Sequence, residues 1–403
     1  MEEGKRPTFS LVILMINMLI AMIGIGLIIP IMPRFLEEFG VGGQSMGYLV
    51  AAFAFTQFFF SPLGGELSDK YGRKFMIIIG LACFTASQFI FAAGTEMWVL
   101  YVSRLLGGMG AAFMIPPMMA YVADITTIEK RAKGMGMLGA AMSLGFVIGP
   151  GIGGFLADFG LRVPFYSSAV IACIATVTSL LFLPETLSKT EQIKARNTKK
   201  KQENIFQQLA RSFKAPYFML LVLVFTLAFG LSNFETVIGL FVDLKFGFTP
   251  KDISIIITAG ALLGVIIQAA VVDRMIRYFG ERKVMIMTFI LAATSMILML
   301  FVKGFFIVLI VALMFFTATS LVRPALNTLL SKMAGDEQGY VAGMNNAYMS
   351  IGNMIGPAIA GTLFDINMNI PYIFGAMILL ASVMMLIRIK AAKTTGNTQA
   401  AKS

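Results

Sequence analysis

Long apolar runs recur along the whole chain, and they constrain its fold more than any other feature. About twenty apolar residues in a row can cross a lipid bilayer as a helix. Because backbone groups inside a bilayer must be hydrogen-bonded within the protein, such runs predict an all-α membrane protein. Twelve runs reach the required length and predict twelve transmembrane helices, at roughly 9–31, 46–67, 75–94, 97–121, 134–157, 163–183, 217–242, 252–272, 284–302, 305–330, 339–363 and 370–390.

The composition agrees with a protein embedded in lipid. Hydrophobic residues make up 58% of the chain and charged residues 13%, whereas soluble domains have about 45–50% and about 25%. The net charge of +11 lies mostly in the short segments between apolar runs. That distribution is typical of cytoplasmic membrane loops. We therefore expect the lipid bilayer as the surroundings of this chain and no nucleic acid as a partner.

One long polar and lysine-rich interruption divides the twelve runs into six and six. It predicts an N-terminal six-helix bundle at 1–183, a cytoplasmic central loop at 184–216 and a C-terminal six-helix bundle at 217–403. Within the loop, four apolar residues are spaced for a helix on the inner membrane surface. That helix could be a passive linker, or a lipid-sensing or calmodulin-like segment: Ile205, Phe206, Leu209 and Phe213.

Lysine and arginine are distributed unevenly between the two sides of the predicted membrane. With both termini inside, the inner segments hold twenty-five of the 32 basic residues, the outer loops hold five, and two lie within spans. The positive-inside rule then predicts a multi-pass protein with both termini in the cytoplasm.

A glycine- and proline-containing stretch of the fifth span returns in the eleventh. Gly145–Gly154 and Gly352–Gly361 are separated by about half of the chain. Glycines four apart let another helix backbone approach closely, and a proline removes one backbone donor and bends the helix. The repeat indicates two similar halves that move against each other. The alternative is that the motif serves tight packing alone. The candidate residues for this movement are Gly145, Gly149, Pro150, Gly153 and Gly154.

The loop after the second span combines glycines with charges, as Gly64–Lys74. Asp69 can pair with helix ends or basic residues on the inner face. Such a contact would hold one conformation closed and would have to break in the other. We therefore assign Asp69, Gly72 and Arg73 to gating. The alternative is a basic loop that only sets the topology.

Three charged residues lie well inside predicted spans, away from the span ends, where charge is costly. Arg104 in span 4 needs a partner or a water-filled cavity, unless it extends to the outer surface. Glu235 in span 7 could exchange a proton near physiological pH, because burial disfavours a charged carboxylate, or it could pair with a cationic substrate. Arg323 in span 10 could balance Glu235. A purely structural arginine–glutamate pair is the alternative.

Polar and aromatic residues inside the spans are candidates for lining a cavity, although many will bond between helices or face lipid. The polar candidates are Asn17, Gln57, Gln88, Gln268, Asn327, Asn345, Asn346 and Asn353, and the apolar ones are Phe53, Met142, Phe146, Phe234, Phe315 and Phe316. The chain has no histidine, and its two cysteines lie in separate apolar runs. We therefore expect no metal site, no cofactor and no enzyme chemistry. No phosphate-binding Gly-Lys-Ser/Thr loop is present, which favours an ion gradient over ATP as the energy source.

These motifs together resemble the major facilitator superfamily. The loop after span 2, the Arg104 motif and the Gly-x-x-x-Gly-Pro-x-x-Gly-Gly pattern of span 5 match its signatures. Ile29–Pro33 is typical of its twelve-span drug:proton antiporters. Further segments are similar to bacterial multidrug and quinolone exporters of the NorA and Bmr type, namely Leu49–Ala54, Phe234–Thr236 and Thr249–Ile253.

The resemblance implies two six-helix bundles that export amphipathic, often cationic compounds such as quinolones and dyes by alternating access, in exchange for protons. It implies a bacterial cell membrane, and we expect a monomer. It places Arg104 and Glu235 in coupling or substrate binding, and further residues near the cavity: Phe53, Gln57, Met142, Ser143, Phe146 and Asn353. One position departs from the pattern, because Ser320 stands where related exporters carry a second acidic residue.

Other functions fit the residues less well. An exporter or importer of a single native solute is the main alternative, and it would favour a denser polar binding set. A receptor or scaffold that transports nothing has no need of Arg104 and Glu235 inside the membrane. A membrane enzyme would need a nucleophile–base or metal arrangement, which the sequence does not offer.

Overall fold

The computed structural model describes residues 6–197, 205–334 and 337–389, and these parts of the chain form helices and contain no strand. The first six membrane-length helices are separated by short connections, with a short helix α2 (Met32–Glu37) after the first. They are α1 (Arg6–Gly26), α3 (Gly43–Tyr71), α4 (Arg73–Ala93), α5 (Met97–Ile125), α6 (Ile128–Leu156) and α7 (Val163–Phe182).

Two short helices, α8 (Lys189–Asn197) and α9 (Ile205–Ser212), precede the second set of six. A third, α12 (Val272–Phe279), lies within that set. The membrane-length helices here are α10 (Phe218–Phe246), α11 (Pro250–Ala270), α13 (Glu281–Met299), α14 (Phe305–Ala334), α15 (Gln338–Ile366) and α16 (Ile370–Ile389).

The prediction of an all-α protein with membrane-length helices is confirmed. In the described ranges, eleven helices are both long enough and apolar enough to cross a membrane. The twelfth, α15, has 29 residues but carries several asparagines, which lower its hydropathy. The predicted helix in the central loop is present as α9, while residues 198–204 lie outside the described parts.

The end of the first predicted span differs from the expectation. The apolar run continues to residue 31, but α1 ends at Gly26 and the chain then forms turns until α2 begins at Met32. Pro30 and Pro33 explain the break, because proline cannot donate a backbone hydrogen bond within a continuous helix. Hydrophobicity alone therefore marks the length of the apolar run and not the length of the helix.

The chain divides into two compact units. The first comprises Met1–Gln202 with Val242–Thr258, and the second comprises Glu203–Phe241 with Ala259–Ser403. The end of α10 and the start of α11 thus pack with the first unit. The division into bundles at 1–183 and 217–403 stays a prediction.

Polar side chains connect helices inside the first unit. Asn17 on α1 donates a hydrogen bond from Nδ2 to Ser179 Oγ at 2.8 Å. Gln88 on α4 donates from Nε2 to Gly24 O and to Ser168 Oγ, both at 2.9 Å. Both side chains are buried. Asn17 and Gln88 were candidates for a cavity lining, but in the structure they hold helices together.

The glycine pattern of span 5 brings α6 into backbone contact with α1. A Cβ atom at Gly145 would lie 2.6 Å from Leu19 O, and one at Gly149 would lie 2.9 Å from Ile23 O. At Gly153 a Cβ would overlap the backbone of Leu27, the residue that follows α1. Only glycine allows this approach, as the spacing of the pattern predicts.

The repeated pattern in α15 makes the equivalent contact with α10 in the second unit. A Cβ atom at Gly352 would lie 2.8 Å from Phe225 O, and one at Gly356 would lie 2.9 Å from Phe229 O. Spans 1 and 5 therefore pair in the same way as spans 7 and 11. This is the relation expected from two similar halves.

Candidate substrate and ion-coupling site

Glu235 and Arg323 lie near the middle of two membrane-length helices of the second unit. Glu235 lies on α10 and is partly buried, and Arg323 lies on α14 and is exposed. Their charges interact electrostatically, yet no described residue forms an ion pair with either within 4.0 Å. An arginine exposed at that depth must face water or a partner, because hydrocarbon would exclude its charge. Glu235 is thus influenced by a positive charge without being locked to it.

The immediate surroundings of this pair contain few groups that could hold either charge in place. Arg323 Nη2 lies 2.6 Å from Met349 Sδ on α15, and a thioether is only a weak acceptor. One turn before Glu235, Ser232 donates a hydrogen bond from Oγ to Asn353 Oδ1 at 2.9 Å. Asn353 therefore lies on the side of α15 that approaches α10, close to the turn that carries Glu235.

Aromatic candidates of the second unit form a buried cluster. The rings of Phe234 and Phe315 stack with centroids 4.0 Å apart, and Phe316 and Tyr372 meet Phe234 edge-on. Phe234 and Phe315 are fully buried, and Phe316 is 6% exposed. These three phenylalanines therefore pack in the core beside Glu235 and are not open to a ligand in this conformation.

The candidates of the first unit lie on α3 and α6. Phe53 and Gln57 are one turn apart on α3 and partly buried, and the Phe53 ring lies over Gly107 of α5. On α6, Met142 is 43% exposed, Ser143 is also exposed, and Phe146 packs against the buried hydrophobic cluster of the unit. Met142 and Ser143 are thus not covered by other parts of the protein, whereas Phe146 is partly taken up by packing.

Arg104 on α5 is buried, with 8% of its surface exposed, and does not extend to the outer surface. Its guanidinium carbon lies 4.1 Å from the centroid of the Phe91 ring on α4. Nε and Nη2 have no hydrogen-bond partner, and no described residue forms an ion pair with Arg104. A cation–π contact of this kind supplies about 2 kcal/mol when it is desolvated. Arg104 therefore has an aromatic partner but no anion.

The loop between α3 and α4 forms a charged network within the first unit. Arg73 Nη1 lies 2.5 Å from Asp69 Oδ1 and donates a hydrogen bond to Ser68 Oγ at 2.7 Å. Arg73 Nε lies 3.2 Å from Asp124 Oδ2 at the end of α5. Asp69, which was expected to pair with helix ends or basic residues, thus contacts Arg73, and a second carboxylate, Asp124, joins the network.

Glu185, from the segment that follows α7, caps the start of α4. Its Oε1 accepts a hydrogen bond from the backbone N–H of Arg73 at 2.9 Å, and its Oε2 accepts one from Lys74 at 3.1 Å. Gly72, the residue before α4, has φ +109° and no room for a Cβ, because the Glu185 carboxylate occupies that space. Gly72 is therefore required both for its backbone conformation and for access of the capping carboxylate.

An ion pair also joins the segment after α1 to the end of α10 within the first unit. Arg34 Nη2 lies 3.1 Å from Asp243 Oδ1, and the Asp243 side chain is only 7% exposed. Sequence reasoning counted Arg34 only as an outer-loop cation and did not single out Asp243. A buried carboxylate requires a cationic or hydrogen-bonding partner, but nothing in the sequence indicates which one.

The arrangement of helices and charges is that of a known class of membrane protein. Secondary transporters typically have two similar sets of membrane-length helices. They also carry charged side chains at mid-span, as here, where Glu235, Arg323 and Arg104 have no ion-pair partner among the described residues. The family profile of the Major Facilitator Superfamily matches residues 14–277 and 220–402. The chain belongs to this superfamily of transporters, whose members carry out no covalent chemistry.

Relatives cover nearly the whole chain. Multidrug resistance protein 2 of Bacillus subtilis is 46% identical over 372 residues, covering 92% of this chain and 93% of the relative. Quinolone resistance protein NorA of Staphylococcus aureus is 36% identical over 375 residues, covering 93% and 95%. Among solved structures, a variant of the nucleoside transporter NupG is 13% identical with a TM-score of 0.78, covering 94% of this chain and 99% of that chain. This last similarity shows the fold alone.

Proposed function

We propose that the protein is a proton-driven multidrug antiporter that exports amphipathic, often cationic compounds by alternating access. Two relatives that cover more than nine-tenths of this chain are named for multidrug and quinolone resistance, which supports the substrate class. The observation that carries the coupling mechanism is the position of Glu235, at mid-span near Arg323 but without an ion pair.

In this mechanism one carboxylate serves both the proton and the drug. Deprotonated Glu235 attracts a cationic compound from the inner side. The compound competes there with the positive charge of Arg323 for the carboxylate. Protonation of Glu235 from the outer side removes the negative charge and releases the compound. Phe53, Gln57, Met142, Ser143, Phe146 and Asn353 are proposed to contact the compound in the course of the cycle. Arg104, which is buried without an anion, is proposed to take part in coupling.

The proposed number of coupling carboxylates is one. Ser320 occupies the position at which related exporters carry a second acid, and its hydroxyl packs against Gly264 of α11. A serine hydroxyl does not titrate near neutral pH. Glu235 alone is therefore proposed to carry the exchanged proton.

The conformational change is proposed to use the two sets of contacts already described. The glycines of α6 keep α6 and α1 together as one rigid pair, and Pro150 and Gly154 lie on the same helix. Asp69, Gly72 and Arg73 hold the inner loop in one of its conformations. We further propose a monomer in a bacterial cell membrane, with both termini in the cytoplasm, as the basic loops indicate.

The test is ethidium efflux from energised bacterial cells that express the protein or its Glu235→Gln variant. We expect the unmodified protein to expel the dye, and both the substitution and a protonophore to stop efflux. Glu37→Gln is the matched control, because Glu37 is an exposed carboxylate on α2 with no side-chain partner among the described residues. It should leave efflux unchanged.

Each possible outcome tests a different part of the proposal. Normal efflux by Glu235→Gln at equal protein level would remove Glu235 as the coupling residue. Efflux that survives the protonophore would remove the proton gradient as the driving force. No efflux by the unmodified protein would remove the multidrug assignment and favour a transporter of one native solute.

A further inference from the structure

The short helix α12 joins two membrane-length helices. α11 ends at Ala270, α12 occupies Val272–Phe279, and α13 begins at Glu281. Every residue of α12 therefore lies within a few residues of two membrane-length helices. Its position along the membrane normal is fixed near the headgroup region, on the side that the proposed topology assigns to the cytoplasm. The assignment of α12 to the inner leaflet therefore rests on the proposed topology and not on the transported compound.

The side chains of α12 divide into two faces. Val272 is buried, and Met275 and Ile276 are partly buried, where α12 contacts α13 and α14. Arg274 and Arg277 are exposed on the opposite face, and Tyr278 is 83% exposed there. Positions 274, 277 and 278 have the i, i+3, i+4 spacing that places side chains side by side on one face. The helix is thus anchored to the protein by one face and offers arginines and a tyrosine on the other.

The two arginines have no anionic partner among the described residues. No described carboxylate lies within 4.0 Å of either guanidinium. The matching loop of the first half is different, because its Arg73 is held by Asp69 and Asp124. In the second-half loop, Arg274 and Arg277 thus form no comparable ion pair with a described carboxylate.

Neighbouring charges strengthen the positive character of this loop. Lys283 is exposed without a partner in the described parts of the chain, and Glu281 is already paired with Lys332. Arg282 is held by hydrogen bonds to Leu386 O and Ile387 O at the end of α16, both 2.9 Å long. Asp273 is the one exposed carboxylate on α12 itself. The face therefore carries an excess of cations that are free to bind an anion.

The aromatic residues of α12 fit the same surroundings. The rings of Tyr278 and Phe279 meet edge-on with centroids 4.7 Å apart, and Phe279 is 40% exposed. Together with Arg274, Met275 and Arg277 they line a shallow open groove. Tyrosine is enriched at the membrane–water interface, because its ring is apolar and its hydroxyl is polar.

We propose that the exposed face of α12 binds the headgroups of anionic phospholipids in the inner leaflet. Arg274 and Arg277 would contact the phosphate of one headgroup, and Tyr278 would lie at the boundary with the acyl chains. Basic residues near a membrane surface each increase binding to anionic lipids by about five-fold, so the two arginines together give about twenty-five-fold. The occupant is a lipid and not free phosphate, since the groove lies beside two spans and two of its five lining residues are aromatic.

A single tryptophan at position 278 tests the proposal in the full-length protein. The chain has one tryptophan, Trp98, which is 67% exposed and can be replaced by phenylalanine. The Trp98→Phe/Tyr278→Trp protein is reconstituted in phosphatidylcholine vesicles that contain a minor fraction of brominated lipid. Brominated phosphatidylglycerol should quench the indole fluorescence several-fold more strongly than the same fraction of brominated phosphatidylcholine. Inorganic phosphate in the buffer should not reduce that difference.

Two charge variants in this background identify the residues. Arg274→Gln/Arg277→Gln should abolish the difference between the two brominated lipids. Lys130→Gln/Lys133→Gln removes two exposed cations at the start of α6 and should preserve it. Because each protein is compared with itself in two lipids, a change in yield does not alter the result.

The proposal is overturned by any of three results. The two lipids could quench the parent protein equally, neither lipid could quench it, or the preference could persist in Arg274→Gln/Arg277→Gln. Loss of the preference on adding inorganic phosphate would assign the arginines to a soluble anion instead. No outcome depends on whether the protein transports a drug.

Discussion

Replacing Gly149 with alanine tests whether the glycine pattern is a backbone contact. The added Cβ atom would lie 2.9 Å from Ile23 O and 3.1 Å from Gly26 Cα, and both are backbone atoms. A Cβ atom in a folded protein essentially never approaches another atom as closely as the first of these distances. The neighbouring helix cannot avoid the methyl group by a rotamer change, so α6 and α1 must separate by several tenths of an ångström.

The expected cost follows from two opposing effects. Overpacking a well-packed contact costs about 1–3 kcal/mol. Alanine in a helix interior is more favourable than glycine by about 0.5–1 kcal/mol. The net expectation for Gly149→Ala is a loss of about 1–2 kcal/mol in the free energy of unfolding, with a larger loss for Gly149→Val.

Gly139 on the same helix provides a matched control. A Cβ atom at Gly139 would have nothing within 4 Å, so Gly139→Ala has only the helix-propensity gain. In the second unit, α15 offers the same comparison. A Cβ atom at Gly356 would lie 2.9 Å from Phe229 O, whereas one at Gly343 would have nothing within 4 Å. The unfolding temperature of each of the four alanine variants is measured in detergent. Dye efflux is then measured in cells that express the same variants.

We expect Gly149→Ala and Gly356→Ala to unfold at lower temperature than the unmodified protein, and Gly139→Ala and Gly343→Ala at the same or a higher temperature. Domains of about 150–250 residues shift by about 2–4 °C per kcal/mol. Equal unfolding temperatures for Gly149→Ala and Gly139→Ala would refute the reasoning. Such a result would mean that α6 and α1 are not in backbone contact.

Two further perturbations address contacts that join distant parts of the chain. A double-mutant cycle of Arg104→Gln and Phe91→Leu should give a coupling free energy of about 2 kcal/mol in unfolding measurements, and additive effects would contradict the cation–π contact. Glu185→Ala should lower the free energy of unfolding by about 1 kcal/mol, because two N–H groups at the start of α4 lose their acceptor. Glu185→Gln, which keeps one acceptor oxygen, should cost less, and an equal cost for both would show that the carboxylate does not act as a cap.

Features that depend on spacing along one helix could be predicted from the sequence. Glycines four apart place small residues on one face, and the contact of α6 with α1 follows from that local pattern. The apolar runs predicted the all-α fold for the same reason, since each run meets the length requirement by itself. Asp69 and Arg73 are different, because they meet across the break at Gly72, from the end of α3 and the start of α4. The sequence indicated a charged contact for Asp69, but helix spacing does not identify its partner.

Features that depend on which helix lies opposite could not be predicted. The sequence shows that Arg104 needs a partner, but Phe91 is one of 36 phenylalanines and nothing local marks it. Glu185 reaches the start of α4 from a segment more than a hundred residues away. Hydropathy also does not separate a polar residue that joins helices of the first unit, such as Gln88, from one that lies close to the turn carrying Glu235, such as Asn353. These assignments require the tertiary arrangement.

The two faces of α6 have a consequence for how such a protein can change over generations. Its glycine face is fixed by backbone contact with α1, while Met142 and Ser143 are exposed elsewhere on the same helix. If these positions contact the compound as proposed, substitutions there change that contact without moving the helix that carries them. Such substitutions have little effect on folding. Under selection by a new toxic compound, the preference for compounds can therefore change while the helix packing stays the same.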